Sequence, residues 1–490
     1  MRFYERRRFR RRSRRLDMHV PIPTPNWFAI LALVSWPLVS IYFYCSRPVV
    51  RATLWTILAA RLLLPVGTTF KFEMVPLVDK SSIPNLCALI GCMIVTGRRL
   101  RLGNNFGVTE VLIASSLVCP VFTSLLNGDP IVVGGTILPG VGLYDGLSAL
   151  LSQFITLVPF FLGRQFLRNP KDLQPLLETL ALAGLLYSVP LLFEIRFSPQ
   201  LHYWLYGYAP SDFIQEMRED GGFRPMVFMG HGLIACFFAM TAVVASTALW
   251  RMKIRVLCFN AGGLTAYLGT VLVFCKSGAA LVYGLVLVPL VRWTKPGLQV
   301  RAAMCFAFLA LLYPGMRMAD VFPTQTILQI ARAVNEPRAH SLEFRFDQED
   351  ELLQRASQRP WFGWGRFGRN RVFKEDWQGI GVDTSVTDGE WIVTFGQFGL
   401  VGFLAEFGLL AFPIYRAAKA LRQIGSFREA ISLGALALII AINMIDLLPN
   451  SAIDPWTWLL AGVLLGCSET VLSRKRTQMT LPNFVLQPGT

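Results

Sequence analysis

A chain of 490 residues with 53% hydrophobic and only 16% charged content, and a mean hydropathy of +0.47, lies far outside the range of soluble globular proteins. Its nine cysteines sit in or beside apolar segments and read as small buried hydrophobes rather than a disulfide framework. The net charge of +16 is uneven: residues 1–17 hold nine arginines against Glu5 and Asp17, a balance that suits an anionic lipid surface better than nucleic acid.

In chain order, residues 1–26 form a basic tail without the apolar core and small-residue cleavage site of a signal peptide. Apolar segments then fall at about 27–45, 49–67, 83–97, 108–126, 147–167, 173–195, 226–250, 256–275, 277–293, 300–315, 391–415, 430–448 and 455–472. A spanning helix needs about 20 apolar residues, so the expected fold is an all-α polytopic membrane protein with 12–13 transmembrane helices. Basic loops at 96–103, 163–171, 250–255, 292–301, 415–423 and 473–476 should be cytoplasmic. That leaves loops 127–146, 196–225 and 316–390 on the opposite face, and 473–490 as a cytoplasmic tail. Counting back through the spans places the Arg-rich start outside, against the positive-inside rule; a start at Met18 ("MHVPIPTPNW") removes the conflict.

Three groups of residues on the outer side are candidates for chemistry. In "DGGFRPMVFMGHG" (220–232), Arg224 and His231 are seven residues apart, which puts them on one face if a helix begins near Arg224. A guanidinium at a membrane mouth offers a planar fork of donors to a diphosphate. In the long loop, "SLEFRFDQEDELLQRAS" (341–357) has helical spacing in Leu342, Phe346, Leu353 and Ala356, with Ser341 as N-cap. Arg345, Arg355 and Arg359 then make an anion-binding wall, with Trp361 and Trp364 supplying aromatic surface for sugar or interfacial lipid. In "TDGEWIVTFGQFGLVGF" (387–403), Asp388 sits where the loop meets the next span, as a proton acceptor or a helix N-cap. Gly396, Gly399 and Gly402 form a small-residue face for helix packing. Arg61, Glu178, Lys276, Glu406 and Asp446 fall inside apolar segments, where mutual pairing is the simplest expectation.

No Walker A, HExxH, DxD or GxSxG sequence occurs, so neither ATP-driven transport nor a metal site nor a cofactor is expected.

The arginine in "GFRPMVFMGHG", the long loop "FRFDQEDELLQRASQRPWFGWG" ending in Pro-x-x-Gly-x-Gly, and the Gly-rich span that follows resemble the O-antigen ligase and O-antigen polymerase superfamily of bacterial inner-membrane proteins, over roughly residues 110–415. "KSGAALVYG" (276–284) is similar to that family's Ser-Arg-Gly span start, with Lys before the Ser. Asp388 and Gly399 have the spacing of a His and Gly in the family, so Asp stands where His is usual. The resemblance implies a GT-C-like fold whose large loop is periplasmic. It implies an undecaprenyl-diphosphate-linked oligosaccharide as donor and a glycan or lipid A core as acceptor. Transfer would be metal-independent and inverting, with other polysaccharide-assembly proteins as further partners. Arg224 and Arg345 would hold the diphosphate and Asp388 would take the proton; the Asp-for-His change favours polymerase over ligase. A transporter or flippase of lipid-linked sugars, or a scaffold of an export complex, are the competing classes.

Overall fold

The computed structural model describes residues 24–72, 76–101, 107–211, 213–218, 221–334 and 336–480. The Arg-rich tail, the alternative start at Met18, Asp220 and the last ten residues lie outside these. The chain is mainly helical. Helices α1 (Trp27–Ser46), α2 (Val49–Leu63), α3 (Ser82–Thr96) and α4 (Val108–Leu125) lead to a short hairpin, β1 (Ile131–Val133) with β2 (Thr136–Leu138). Then come α5 (Leu143–Phe166), α6 (Leu173–Phe197), α7 (Leu201–Tyr206), α8 (Gly232–Arg251), a two-residue hairpin β3 (Arg255–Val256) with β4 (Phe259–Asn260), α9 (Ala261–Phe274), α10 (Gly278–Trp293) and α11 (Pro296–Met318). The long loop holds α12 (Thr324–Val334), α13 (Glu336–Ser357) and a third hairpin, β5 (Phe373–Glu375) with β6 (Gly381–Asp383). The chain returns through α14 (Glu390–Leu421), α15 (Phe427–Asp446) and α16 (Pro455–Thr480).

Nine helices among the described residues (α1, α4, α5, α6, α8, α11, α14, α15 and α16) are long and apolar enough to cross a membrane, the signature of a multi-pass membrane protein. The 12–13 spans expected from the sequence include four further helices that are shorter. Helices α2, α3, α9 and α10 have 15, 15, 14 and 16 residues. At 1.5 Å per residue they reach roughly 21–24 Å, short of a hydrocarbon core of about 30 Å. Local chemistry sets the ends: Pro65 forces Leu64 into an extended conformation and stops α2, and the β3–β4 hairpin delays α9 to Ala261, with Asn260 as its cap. The segment at 300–315 is longer than expected, because Pro296 opens α11 at its first turn and the helix runs past Pro314.

Close helix contacts use small residues. On α16, Gly462 and Gly466 are four apart, and a Cβ on them would lie 2.1 Å from the Phe160 carbonyl and 2.5 Å from the Arg164 carbonyl of α5. At one end of the bundle, Arg164 bridges Glu110 (2.7 Å) and Glu469 (2.8 Å), and Arg251 donates to the Val291 carbonyl at 2.7 Å. At the other end the loops 127–146 and 316–390 meet each other and the connection 447–454. Gly135 N–H donates to the Gly379 carbonyl at 2.8 Å, Thr136 Oγ1 donates to Gly381 at 2.8 Å, and Arg345 donates to Pro449 at 3.0 Å.

His202 belongs to the frame of this loop end. It is buried, its Nδ1 hydrogen-bonds the Tyr208 carbonyl at 2.8 Å, and its Nε2 accepts from Val66 N–H at 3.2 Å, so the ring is neutral. Burial pushes its pKa down to about 4. Its folded pKa lies below its unfolded one, so the unfolded chain binds the proton first as pH falls. Stability is therefore expected to drop by about 3 kcal/mol between pH ~6.5 and pH ~4. Thermal midpoints of wild type and His202→Asn across that range check this; the variant should lose the acid slope.

Candidate functional site

Residues 224–231 are not helical, contrary to the expectation that Arg224 and His231 share a helix face: α8 begins at Gly232, with His231 as its N-cap. Two buried carboxylates shape this loop instead. Glu194, from α6, accepts from the N–H groups of Met226 (2.8 Å) and Val227 (2.7 Å), which holds Val227 at φ +51°. A β-branched residue at positive φ is strained and persists only where its surroundings impose it. Glu216, fully buried, accepts from Arg224 Nε at 2.5 Å and Gly232 N–H at 3.0 Å, and stands 3.6 Å from His231 Nδ1. His231 Nδ1 in turn accepts from Leu233 N–H at 3.2 Å, which leaves the proton on Nε2, a donor with no partner among the described residues. Neither glutamate stood out in the sequence; an acid inside "LLFEIRF" was the available signal for Glu194. Glu216→Ala removes one member of a buried pair and is expected to destabilise the protein by about 3 kcal/mol, read as a lower thermal midpoint of the purified chain.

The second element is α13. It begins at Glu336, five residues before the expected cap at Ser341, with the acid in its first turn favoured by the helix dipole. It is fastened by Glu349, which accepts from Tyr313 Oη of α11 (2.8 Å) and Trp391 Nε1 of α14 (3.2 Å) and lies 3.4 Å from Arg317 Nε. Burial pushes the Glu349 carboxyl up, while the Tyr313 and Trp391 hydrogen bonds and Arg317 oppose it. So fixed, α13 points Arg345 at Asp388: Nε to Oδ2 is 3.3 Å, and both side chains keep about a third of their surface exposed. Asp388 is not the N-cap of α14; Gly389 holds that position, and the carboxylate is directed to Arg345. A cavity of about 250 Å³ opens beside this pair, lined also by Tyr283, Tyr313, Phe346 and Pro449.

The two elements converge at His231. Burial lowers its pKa, Arg224 and Arg345 add to the shift, and Glu216 and Asp388 oppose it. Arg224, His231, Arg345 and Asp388, from three separate stretches of sequence, therefore share one electrostatic environment. Of these, Arg345 and Asp388 line the cavity of about 250 Å³, while Arg224 is buried against Glu216; guanidiniums and an imidazole donor in one environment suit an anion with several oxygens.

Arg355, Arg359 and Trp364 are placed elsewhere. Arg355 lies ten residues beyond Arg345 on the same helix, a rise of roughly 15 Å. Its guanidinium stacks 3.4 Å from the Trp364 ring centroid and Arg359 stacks at 4.2 Å, while Trp364 Nε1 donates to the Arg355 carbonyl at 2.7 Å. Arg359 also binds Asn127 Oδ1 (2.5 Å) and Asp129 Oδ2 (3.0 Å). Arg369, fully buried, donates to the carbonyls of Pro139 and Asp129, each at 2.8 Å. These side chains rivet the end of the long loop to 127–139. Trp361 remains exposed.

The turn "PWFGWG" (360–365) also has a structural task. Helix α14 is broken at Gly399, which takes φ +65°, ψ −164°. The turn docks into the break: Trp364 N–H donates to Gly396 (2.9 Å), Gly365 N–H to Gln397 (2.9 Å), and Leu400 N–H to Pro360 (2.7 Å). Broken helices at membrane depth need such replacement partners. Gly396 and Gly399 thus serve a loop-to-helix joint rather than a helix–helix face.

Among the charges within apolar segments, Arg61 pairs with Asp454 at 2.6 Å and Glu178 with Arg51 at 3.2 Å, partners from outside the expected set. Lys276 donates to the Gly221 carbonyl, tying the start of α10 to the loop before Arg224. Glu406 and Asp446 are buried.

No protein-family model matches the chain, and no curated protein matches it. What the site does has to follow from its own geometry and chemistry.

Proposed function

We propose that the protein is a glycosyltransferase of the bacterial inner membrane that extends a surface polysaccharide at the periplasmic face. The donor is a glycan linked to undecaprenyl diphosphate. The observation that carries this reading is the meeting of Arg224, His231, Arg345 and Asp388 at the mouth of a helical bundle. Such a mouth receives a lipid-linked anion with its tail in the bilayer and its charge among the arginines.

In this reading Arg224 and Arg345 bind the diphosphate oxygens, and His231 Nε2–H adds a neutral donor. The acceptor hydroxyl attacks the anomeric carbon; the bond from that carbon to the diphosphate oxygen breaks as the new glycosidic bond forms, with inversion. The hydroxyl proton passes to the Asp388 carboxylate, and negative charge develops on the leaving undecaprenyl diphosphate, where the guanidiniums stabilise it. The donor is already activated, which accords with a sequence lacking a nucleotide-binding motif. Glu216 supports the reading by orienting Arg224 through Nε, which leaves its two terminal nitrogens for an anion.

The break at Gly399 is a feature also met in transporters, but here a turn of the chain fills it, which favours a fixed scaffold over a moving gate. The test is transfer by the purified full chain in vesicles supplied with an undecaprenyl-diphosphate-linked repeat unit. Wild type should make longer glycans and release free undecaprenyl diphosphate. Asp388→Asn should slow transfer by about a hundredfold without loss of the folded state. Wild type that moves the donor across the vesicle membrane without joining sugars would support the transporter instead.

A further inference from the structure

A second cavity, of about 280 Å³, borders the loop that presents His231 and is not used by the chemistry above. Met229 and Ile234, which flank that loop, line it. So do Ser451 and Asp454, from the same connection whose Leu448 and Pro449 line the Arg345 cavity. The two cavities thus share the partition 448–455. Its size is close to the lower end of small-molecule sites, about 300 Å³, enough for a sugar ring.

Its lining has an excess of positive charge. Lys80 donates to the Phe228 carbonyl at 2.9 Å and the Arg61 carbonyl at 3.2 Å, and keeps a third N–H and an accessible face toward the cavity. Arg61 meets Asp454 at 2.6 Å, its one ion pair among the described residues, and has donors to spare. Among the lining residues two cations stand against one carboxylate, Asp454, in a confined, partly apolar space; Asp79, beside Lys80, is not among them and accepts from the N–H groups of Ser81 (2.9 Å) and Ser82 (2.8 Å). Ser451 Oγ donates to Glu390 at 2.6 Å, which links the cavity wall to the segment carrying Asp388.

We propose that this cavity is the acceptor subsite and that it takes a sugar bearing an anionic substituent, a carboxylate or a phosphate ester, bound by Lys80 and Arg61. The assignment of the sugar as acceptor rests on the transferase reading; the anion site itself does not. Burial, reinforced by the neighbouring Arg61 and opposed by Asp454 and Asp79, pulls the Lys80 ammonium down to about 7, and an incoming anion would add to the carboxylates that favour its charged form. A neutral glycan gains nothing from this pair of cations, so the cavity selects acidic surface glycans.

The test is reaction of Lys80 with cyanate at neutral pH, followed by peptide mass spectrometry of the full chain in nanodiscs. Inorganic phosphate, glucuronate and glucose are the probes. Glucuronate or phosphate should slow carbamylation of Lys80 about tenfold at saturation while glucose does not, and which of the two anions acts names the substituent. Glucose protecting as well as the anions, or no anion protecting, would overturn the proposal. Lys80→Gln should weaken the glucuronate-induced rise in thermal midpoint by about tenfold in concentration and Lys80→Arg should keep it, consistent with a charged hydrogen bond. If Lys80→Gln does not fold, the wild-type protection pattern decides alone. Failure here leaves the Arg345 phenotype standing, whereas a wrong transferase reading would show as wild type that transfers nothing while Lys80 is still protected.

Discussion

Arg345→Ala is expected to lower glycosyl transfer about a thousandfold while leaving a folded, membrane-inserted protein. The size of the effect follows from where charge develops. In the proposed reaction the diphosphate gains negative charge as the anomeric bond breaks, and removing one preorganised donor to such a centre typically costs a factor of 10²–10³ in rate. Arg345 stands at the upper end because it also holds Asp388, at 3.3 Å, in the position from which the carboxylate would take the acceptor proton. The stability cost is small by comparison. Arg345 and Asp388 both retain solvent contact, and partly exposed pairs contribute about 1 kcal/mol or less. Arg345→Lys keeps the charge but not the planar fork, and should recover only part of the rate. Donor binding and turnover are the readouts: a loss confined to turnover assigns Arg345 to the transition state, and a loss shared with binding assigns it to holding the diphosphate.

The largest structural effect is expected from Gly399→Ala. The backbone there, φ +65° with ψ −164°, is reached almost only by glycine, so any side chain is strained by about 1–3 kcal/mol. The added Cβ would also lie 2.3 Å from the carbonyl carbon of Trp361, which cannot retreat because the turn is bonded on both sides of the break. Overpacking of this kind adds a further 1–3 kcal/mol. A total of about 2–6 kcal/mol should prevent the turn 360–365 from docking and leave backbone groups at the break in α14 unpaired. The measurement is the yield and thermal midpoint of Gly399→Ala beside Gly97→Ala, a positive-φ glycine with no heavy atom within 4 Å of the added Cβ. Gly97→Ala should lose only the strain.

Much of the helical plan was legible because burial in lipid demands long apolar runs, and composition reports those directly. What misled was length: the runs at 49–67 and 256–275 are continuous in hydropathy, but Pro65 and the hairpin before Ala261 cut the helices short. Arg224, His231, Arg345 and Asp388 stood out as polar residues at the junctions of loops with apolar segments. Their meeting could not be read, since it depends on contacts far apart in sequence. Glu216 looked like an ordinary loop acid until it was found buried beneath Arg224. The structural part of the "PWFGWG" turn was hidden for the same reason. Its aromatic and glycine residues suggest a surface for sugar or interfacial lipid; that Thr123 Oγ1 donates to the Phe362 carbonyl across 239 residues of chain, and that the turn fills a break in a helix, depends on contacts no local pattern shows.

The most direct test of the central claim is the size of glycans released from undecaprenyl lipid and from the cell surface of a strain lacking this protein. The strain would be complemented with wild type, Arg224→Ala or Arg345→Ala, each checked for equal abundance in the membrane. Single repeat units in place of polymer, restored to polymer by wild type and by neither arginine variant, is the predicted result. Unchanged glycans in the deletion strain, or full complementation by both arginine variants, would contradict it.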